Sequence, residues 1–483
     1  MNLRLISKSL GALLAIVAVC MLPSLIMSMV YSDGCAPAFT LTIVILTAVS
    51  LIMNSIKPKS TEIYPRDGFA IVGFGWILSA VFGALPFLIS GVIPSVTDAL
   101  FESVSGFTTT GASILAEVES LPRSIIFWRS FTNWMGGVGV LALMMAILPS
   151  VKANSIHIMQ AEAPGPYVDK FTPRISWVAR ILYVIYVGIT FSEVIFLLLG
   201  GVPLYDAVVF SMSTTSTGGF SSRDLSVGAY NSAYIEIVIT VFMLLCGINL
   251  SLYQMILRGK IKAALKDSEA RFFLSVFVCA TVFITINLVA RNNTAFPEAI
   301  RHAAFQVSTL ITSTGFSSMD FNMWPEFSKT ILIMVMFMGG CTGSTAGGIK
   351  CMRILLIFKI LRNELAKILH PNAVHVTRLN GKPVEESVLT GILSFVILYM
   401  LVLAASMVVI SLDGFSLTTS FTAVLATVSN MGPGLDMVGP MGNYSGFSDL
   451  SKIVLTVCML LGRLEIYPII LLCAPSFWKQ SNK

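Results

Sequence analysis

The sequence predicts an all-α polytopic membrane protein: two N-terminal transmembrane helices followed by one unit that recurs four times. Three observations carry this. The 483-residue chain is 55% hydrophobic and 12% charged, about half the charge fraction of a soluble domain, and its mean hydropathy is +0.84. Several apolar stretches exceed the roughly 20 residues that a bilayer-crossing helix needs. A short Ser/Thr-Gly phrase returns between them. The alternating segments that mark a membrane β-barrel are not seen in the sequence.

Taken in order, the long apolar runs lie near 9–30, 37–56, 68–91, 125–149, 176–200, 233–257, 272–290, 328–358, 386–411 and 450–475. By the length rule these are about ten crossings, the one at 328–358 interrupted. The first run follows Arg4 and Lys8 and continues to Val30 without a small-x-small cleavage site. It reads as an uncleaved helix rather than a signal peptide. Shorter mixed runs near 96–108, 204–216, 297–312 and 416–428 are too short to span and suit re-entrant half-helices.

Charge sets the expected orientation. With Arg4 and Lys8 inside, the connectors bearing Lys57, Lys59 and Arg66, then Lys152 to Arg180, Arg258 to Arg271, and Arg362 to Lys382 all fall inside, as does the tail with Lys479 and Lys483. The opposite loops hold few basic residues. This is the positive-inside bias, and it places both termini in the cytoplasm of a multi-pass plasma-membrane protein. The net charge of +6 marks this topology and does not suggest a nucleic-acid partner. No Gly-x-Gly-x-x-Gly follows a strand, so any nucleotide control needs another chain.

The recurring unit is a long helix, a half-helix, a Ser/Thr-Gly phrase and a second long helix. The phrases are TTTGAS (Thr108–Ser113), STGGFS (Ser216–Ser221), TSTGFS (Thr312–Ser317) and SNMGPG (Ser429–Gly434). Taking Gly111, Gly219, Gly315 and Gly432 as equivalent gives steps of 108, 96 and 117 residues. The second unit is ambiguous between Gly218 and Gly219. Gly219 is preferred because Asp206 precedes it by the spacing that separates Asp98 from Gly111. The resulting boundaries are 1–60 for the extra helices, then 61–150, 151–260, 261–370 and 371–483.

A half-helix that stops inside a bilayer leaves backbone carbonyls unpaired, which is tolerated only where the chain lines a watery cavity. Carbonyls from four such loops can replace the hydration shell of a cation. Glycine permits the backbone angles required, and the C-terminal end of each half-helix adds a negative dipole. Small-residue helix packing is the alternative for any single phrase; four phrases, each after a non-spanning segment, favour the cation reading. The eight Cys include no C-x-x-C pair and lie mostly in apolar runs, so they read as buried hydrophobes. The four His are scattered, with no metal or triad spelling.

These phrases, with GGCTGSTAGGIK (Gly339–Lys350), HPNAV (His370–Val374), NMGPGL (Asn430–Leu435) and GRLEIYP (Gly462–Pro468), make the chain similar, over essentially its whole length, to the TrkH/TrkG branch of the Trk/Ktr/HKT superfamily of cation-translocating subunits. The resemblance implies four M1–P–M2 pore-loop repeats around a central pore. It implies K⁺ as the transported ion, held by carbonyls near Thr110–Gly111, Gly218–Gly219, Thr314–Gly315 and Met431–Gly432. In the family, serine at the Gly111 position is associated with Na⁺ transport; glycine at all four positions favours K⁺. Met431 departs from the Ser/Thr-Gly pattern.

The resemblance also makes Gly339–Lys350 an intramembrane gating loop, with Gly339, Gly340, Gly343, Ser344, Thr345, Ala346, Gly347, Gly348 and Lys350 as its working residues. Its small residues hold a helix poorly. It is not a phosphate-binding loop, because Cys351 stands where Ser or Thr is required. Arg463, a charge in the middle of an apolar run, is expected to face the pore as a barrier to cations, with Glu465 helping to hold it. For Lys350 and Arg353, snorkelling to the cytoplasmic face is the alternative reading. The implied partners are a cytoplasmic, nucleotide-binding ring with RCK-type domains (TrkA-like) and a second copy in a homodimer, in the bacterial inner membrane. A second reading is a symporter coupling K⁺ to H⁺ or Na⁺, since broken helices fit such proteins too; Glu102 and Glu465 are its nearest carboxylates. An intramembrane enzyme is the third, and nothing in the sequence supplies its nucleophile–base pair.

Overall fold

The computed structural model describes residues 1–56, 64–139, 175–372 and 375–478. The first two helices, Leu3–Cys20 and Leu22–Tyr31, form one apolar length of 29 residues. Leu13, Leu14 and Val17 are fully buried. The packing against Ala36–Asn54 is close because Gly11 has no side chain: a Cβ there would lie 2.8 Å from that of Met53. The Ser50 hydroxyl donates to the Gly11 carbonyl at 2.7 Å, as small-residue membrane interfaces allow.

Four copies of outer helix, half-helix and inner helix follow. The outer helices are Pro65–Gly83, Ile175–Leu199, Ser268–Asn292 and Glu386–Ile410. The half-helices are Val96–Phe107, Leu204–Ser216, Phe296–Ile311 and Leu417–Val428, close to the runs expected from sequence. Ser95 and Ser416 cap two of them by accepting from Asp98 N and Thr419 N, the preferred way to satisfy an opening turn. The core sits on the half-helices. Every residue from Phe101 to Thr110, from Val209 to Thr217 and from Thr422 to Leu435 is buried, whereas the outer helices expose broad apolar faces such as Val278, Ile286, Ile397 and Val408.

The inner helices, Arg123–Val138, Ala233–Gly247, Glu326–Met338 and Asp449–Arg463, are 13 to 16 residues long. That is a rise of roughly 20–24 Å, short of the roughly 30 Å hydrocarbon core. The expectation of continuous helices over 233–257 and 450–475 is therefore corrected. The second inner helix turns by 90° into Leu250–Leu257 and the fourth by 120° into Tyr467–Cys473. At the second break, Asn249 caps a new helix by accepting from Ser251 N at 2.8 Å. At the fourth, Glu465 and Ile466 take positive φ (53° and 70°), and Pro468 stands in the first turn of the helix that follows, where its missing N–H costs nothing. The third stops at Gly339 (φ 67°) and the first at Gly139 (φ 89°); the expected continuation over 140–149 lies outside the described residues. The ten crossings resolve into six unbroken apolar spans and two bent pairs among the described residues. The other two are this first inner helix and the third, which is interrupted at 339–350.

Candidate functional site

Each half-helix ends in the same way. The residue two before the aligned glycine, Thr109, Thr217, Ser313 or Asn430, takes a left-handed conformation with φ between 51° and 56°. Its own N–H bonds back three residues, and the next N–H bonds back five: Thr110 to Ser105, Gly218 to Ser213, Thr314 to Thr309 and Met431 to Ala426, at 2.7–2.9 Å. This is the Schellman termination, which normally places glycine at the left-handed position. Three of the four positions hold Thr or Ser, a strained choice that the fixed hydrogen bonds enforce. The motif settles the register of the second repeat: Thr217 aligns with Thr109 and Ser313, so Gly219, not Gly218, is the counterpart of Gly111 and Gly315.

All eight residues expected at the four loops come together in one closed ring. A Cβ on Gly111 would lie 2.1 Å from the Gly218 carbonyl oxygen, and one on Gly219 2.0 Å from that of Thr314. One on Gly315 would meet Pro433 and Gly432 at 3.0 and 3.2 Å, and one on Gly432 would meet the Gly111 oxygen at 2.8 Å. Gly111, Gly219 and Gly315 also need φ of 77°, 69° and 88°. The fourth loop differs. Gly432 has no left-handed φ, and its carbonyl accepts from the Tyr444 hydroxyl at 3.0 Å. Asn430 Nδ2 reaches across to Thr110 Oγ1 at 3.0 Å and closes the ring. A cavity of about 120 Å³ opens above it, bounded by all four aligned glycines, Pro433 and Tyr444.

Below the ring lies Gly339–Lys350, a non-helical segment between Met338 and Cys351. It is tied to three repeats. Gly347 N donates to Ser313 Oγ at 2.6 Å, and Thr345 Oγ1 to the Thr215 carbonyl at 3.1 Å. A Cβ on Gly347 would meet the Ser429 oxygen at 2.1 Å. Gly340, Gly343, Ser344, Ala346 and Gly348 complete the segment, and Lys350 (φ 82°) folds its ammonium back onto the Ala346 carbonyl. The expected cation, Arg463, reaches the same place: it donates to the Thr345 carbonyl at 2.9 Å, to Thr109 Oγ1 at 3.3 Å and to the Gly136 and Gly137 carbonyls. It therefore joins the segment to the first inner helix and the first loop. Glu465, expected to help hold it, forms its ion pair with Arg353. Arg353 stacks 3.9 Å over the Phe395 ring and is not a snorkelling side chain.

A sequence profile of TrkH cation transport proteins matches residues 36–480. This chain belongs to the TrkH family. It is 37% identical to the Trk system potassium uptake protein TrkH of Salmonella typhimurium, over 99% of this chain and all of the relative. It is 33% identical to TrkG of Escherichia coli K12, over 99% of each. The crystal structure of the potassium transporter TrkH from Vibrio parahaemolyticus superposes with a TM-score of 0.90 at 34% identity, covering 99% of this chain and 100% of that one. The family is one of transport proteins, and the enzyme reading falls with that.

Ionic ties that sequence reading missed hold this TrkH-family ring at its junctions. Glu102 and Arg129 form a buried pair. The carboxylate also accepts from Ile114 N at 3.0 Å and from Ser113 Oγ, while the guanidinium lies 3.7 Å over the Phe220 ring of the next repeat. Arg301 pairs with Glu236 at 2.9 Å, Arg353 with Glu465, and Lys452 with Asp98 at 2.6 Å, linking second to third, third to fourth and fourth to first. Breaking a buried pair from one side strands the other charge. Arg129→Leu is expected to destabilise the protein by about 3–5 kcal/mol, read as a lower thermal unfolding midpoint in detergent.

Glu269 was also missed. It lies 82 residues from Cys351 in sequence, yet its Oε1 accepts from Thr342 N at 2.6 Å and Met352 N at 3.1 Å. One carboxylate thus fastens both ends of the interrupted segment. Charged hydrogen bonds of this kind are worth roughly 1.5–3 kcal/mol each. Glu269→Ala is expected to loosen the segment and raise ion leak through protein reconstituted alone in liposomes.

Proposed function

We propose that this chain takes up K⁺ through a selective, channel-like pore whose filter is the ring at Thr110–Gly111, Gly218–Gly219, Thr314–Gly315 and Met431–Gly432. The observation that carries this is the closure of four half-helix ends into one ring. Four half-helix dipoles converge on it with their negative ends, and stripped backbone there substitutes for a hydration shell. The potassium uptake proteins to which the chain is similar over its whole length support K⁺ as the cargo. The boundaries 61–150, 151–260, 261–370 and 371–483 divide the pore into its quarters. Gly339–Lys350 is the gate, with Arg463 as both its latch and a positive barrier.

A cytoplasmic nucleotide-binding ring of the TrkA-like, RCK type would open the gate by acting on the broken inner halves. The chain would work as a homodimer in the bacterial inner membrane with both termini inside, as its charge bias favours. The test is Rb⁺ or K⁺ uptake into proteoliposomes holding only this protein, with Na⁺ as competitor. Uptake that Na⁺ fails to block supports the pore; equal passage of both ions overturns it. Gly111→Ser is expected to raise Na⁺ permeation relative to K⁺ in the same assay.

A second reading, K⁺ coupled to H⁺, is favoured by one side chain. Glu102 and Glu465 are both paired with arginines, but Glu193, in the outer helix of the second repeat, is fully buried and neither carboxyl oxygen has a hydrogen-bond partner among the described residues. An intramembrane acid of this kind is functional by default. Proton movement that accompanies K⁺ entry and vanishes in Glu193→Gln would establish this reading; K⁺ entry unaltered by a pH gradient would remove it.

A further inference from the structure

Away from the ring, a second cavity of about 430 Å³ opens on the same membrane face as the cavity above the loops. Its walls include Tyr31, Glu119, Arg123, Leu204 and Tyr205. Tyr31 ends the first span, Arg123 begins the first inner helix, and Leu204 begins the second half-helix. The cavity is therefore placed where chains enter and leave the bilayer, the level at which tyrosines gather.

Its charges are arranged in an unusual way. The Arg123 guanidinium lies 4.6 Å over the Tyr31 ring and 5.7 Å from the centre of the Tyr205 ring. Tyr205 fixes the arrangement by donating its hydroxyl to the Arg123 carbonyl at 2.7 Å. No carboxylate among the described residues pairs with this guanidinium, whereas the neighbouring Arg223 is engaged by Asp206 at 2.9 Å. On another wall Glu119 is 43% exposed, and its contacts to Arg223 and to Asp224 N are long, at 3.4 and 3.3 Å. The cavity thus offers one unneutralised cation and one loosely held carboxylate. Beside it, Met29, Val30 and Leu204 present apolar side chains more than 60% exposed.

We propose that this cavity binds the headgroup of a phospholipid bearing a primary ammonium, with the phosphate on Arg123, the ammonium on Glu119 and the acyl chains along Met29, Val30 and Leu204. Arginine suits a phosphate because its planar fork bonds two oxygens at once. The carboxylate selects a headgroup with N–H donors and disfavours a purely anionic one. A quaternary ammonium would need open aromatic faces, and here Arg123 already occupies both tyrosines. The exposed apolar side chains favour a lipid over a soluble phosphate ester.

The test is native mass spectrometry of the full-length protein with equal amounts of phosphatidylethanolamine, phosphatidylcholine and phosphatidylglycerol. The wild type is expected to retain phosphatidylethanolamine about tenfold over the other two, the worth of one charge-assisted hydrogen bond. Glu119→Gln, a half-exposed change that leaves the fold alone, should abolish the preference over phosphatidylcholine, and Arg123→Gln should lower retention of all three. Equal retention of phosphatidylglycerol by the wild type, or an unaltered preference in Glu119→Gln, overturns the proposal. Displacement of the lipid by equimolar soluble phosphoethanolamine also overturns it, because the tails would then contribute nothing.

Discussion

Gly219→Ala is expected to abolish selective K⁺ uptake while leaving the protein assembled in the membrane. The alanine methyl would be placed 2.0 Å from the Thr314 carbonyl oxygen, closer than any real contact. That oxygen belongs to backbone, so no side-chain rotation relieves the clash. The position also needs φ of 69°, which costs an L-residue roughly 1–2 kcal/mol before any contact is counted. The third loop must therefore move away from the second, and the ring opens at the carbonyls proposed to replace water around the ion. A dehydration site tolerates no such shift, since an ion that loses its shell without full replacement does not enter. Uptake of Rb⁺ should fall by at least roughly five- to thirtyfold, the size of the angular cost alone. Gly218→Ala makes a useful contrast. Its added methyl would meet the Asn133 side-chain amide at 2.5 Å, a group able to rotate, and Gly218 has no positive φ. Its loss should be smaller. Equal losses in the two variants would count against the assignment of Gly219 as the counterpart of Gly111.

Arg463→Ala is expected to increase K⁺ flux through protein reconstituted alone. The guanidinium bonds to the Thr345 carbonyl on one side and to Thr109, Gly136 and Gly137 on the other. Removing it releases the interrupted segment from the first repeat and deletes a positive charge beneath the ring. Both effects favour cation passage. Arg463→Lys separates them, because lysine keeps the charge but is a compact point charge rather than a rigid fork. If the latch dominates, the lysine variant leaks nearly as much as the alanine variant. If the charge dominates, it stays closed. Unchanged or reduced flux in Arg463→Ala would remove both roles. The readout is Rb⁺ uptake in proteoliposomes at fixed K⁺ gradient.

Much of this architecture was legible in the sequence because it depends on length and composition. A 12-residue segment rich in Ser and Thr between apolar runs has few options in a bilayer, and Val96–Phe107 and Leu417–Val428 fell where that argument placed them. The phrase glycines were legible because close backbone approach leaves no alternative residue. The left-handed turns at Thr109, Thr217 and Ser313 were not, since Thr and Ser carry no signature for that angle; only Asn430 is a residue enriched there. The break in the third inner helix was legible from its small residues, but those in the second and fourth were hidden by apolarity, although Gly247 and Asn249, and Gly462 with Pro468, are the stop signals in hindsight. Glu269 was invisible for a different reason. Its partners are backbone N–H groups far along the chain, and such groups have no spelling. Glu193 carried a signal that was passed over: a lone acid within an apolar run.

The shortness of the inner helices has a mechanical consequence. A continuous helix transmits force along its whole length, so a partner pulling on its cytoplasmic end would also pull on the ring. Here each inner helix ends 13 to 16 residues from its start, and the bent pairs turn by 90° and 120°. The outer half of the molecule is cross-braced by Arg129–Glu102 and Lys452–Asp98, so displacement of the inner half reaches it through a few contacts, Arg463 to Thr109 and Gly347 to Ser313 among them. If the ring discriminates ions and the interrupted segment gates them, as proposed, those contacts are the route by which one adjusts the other.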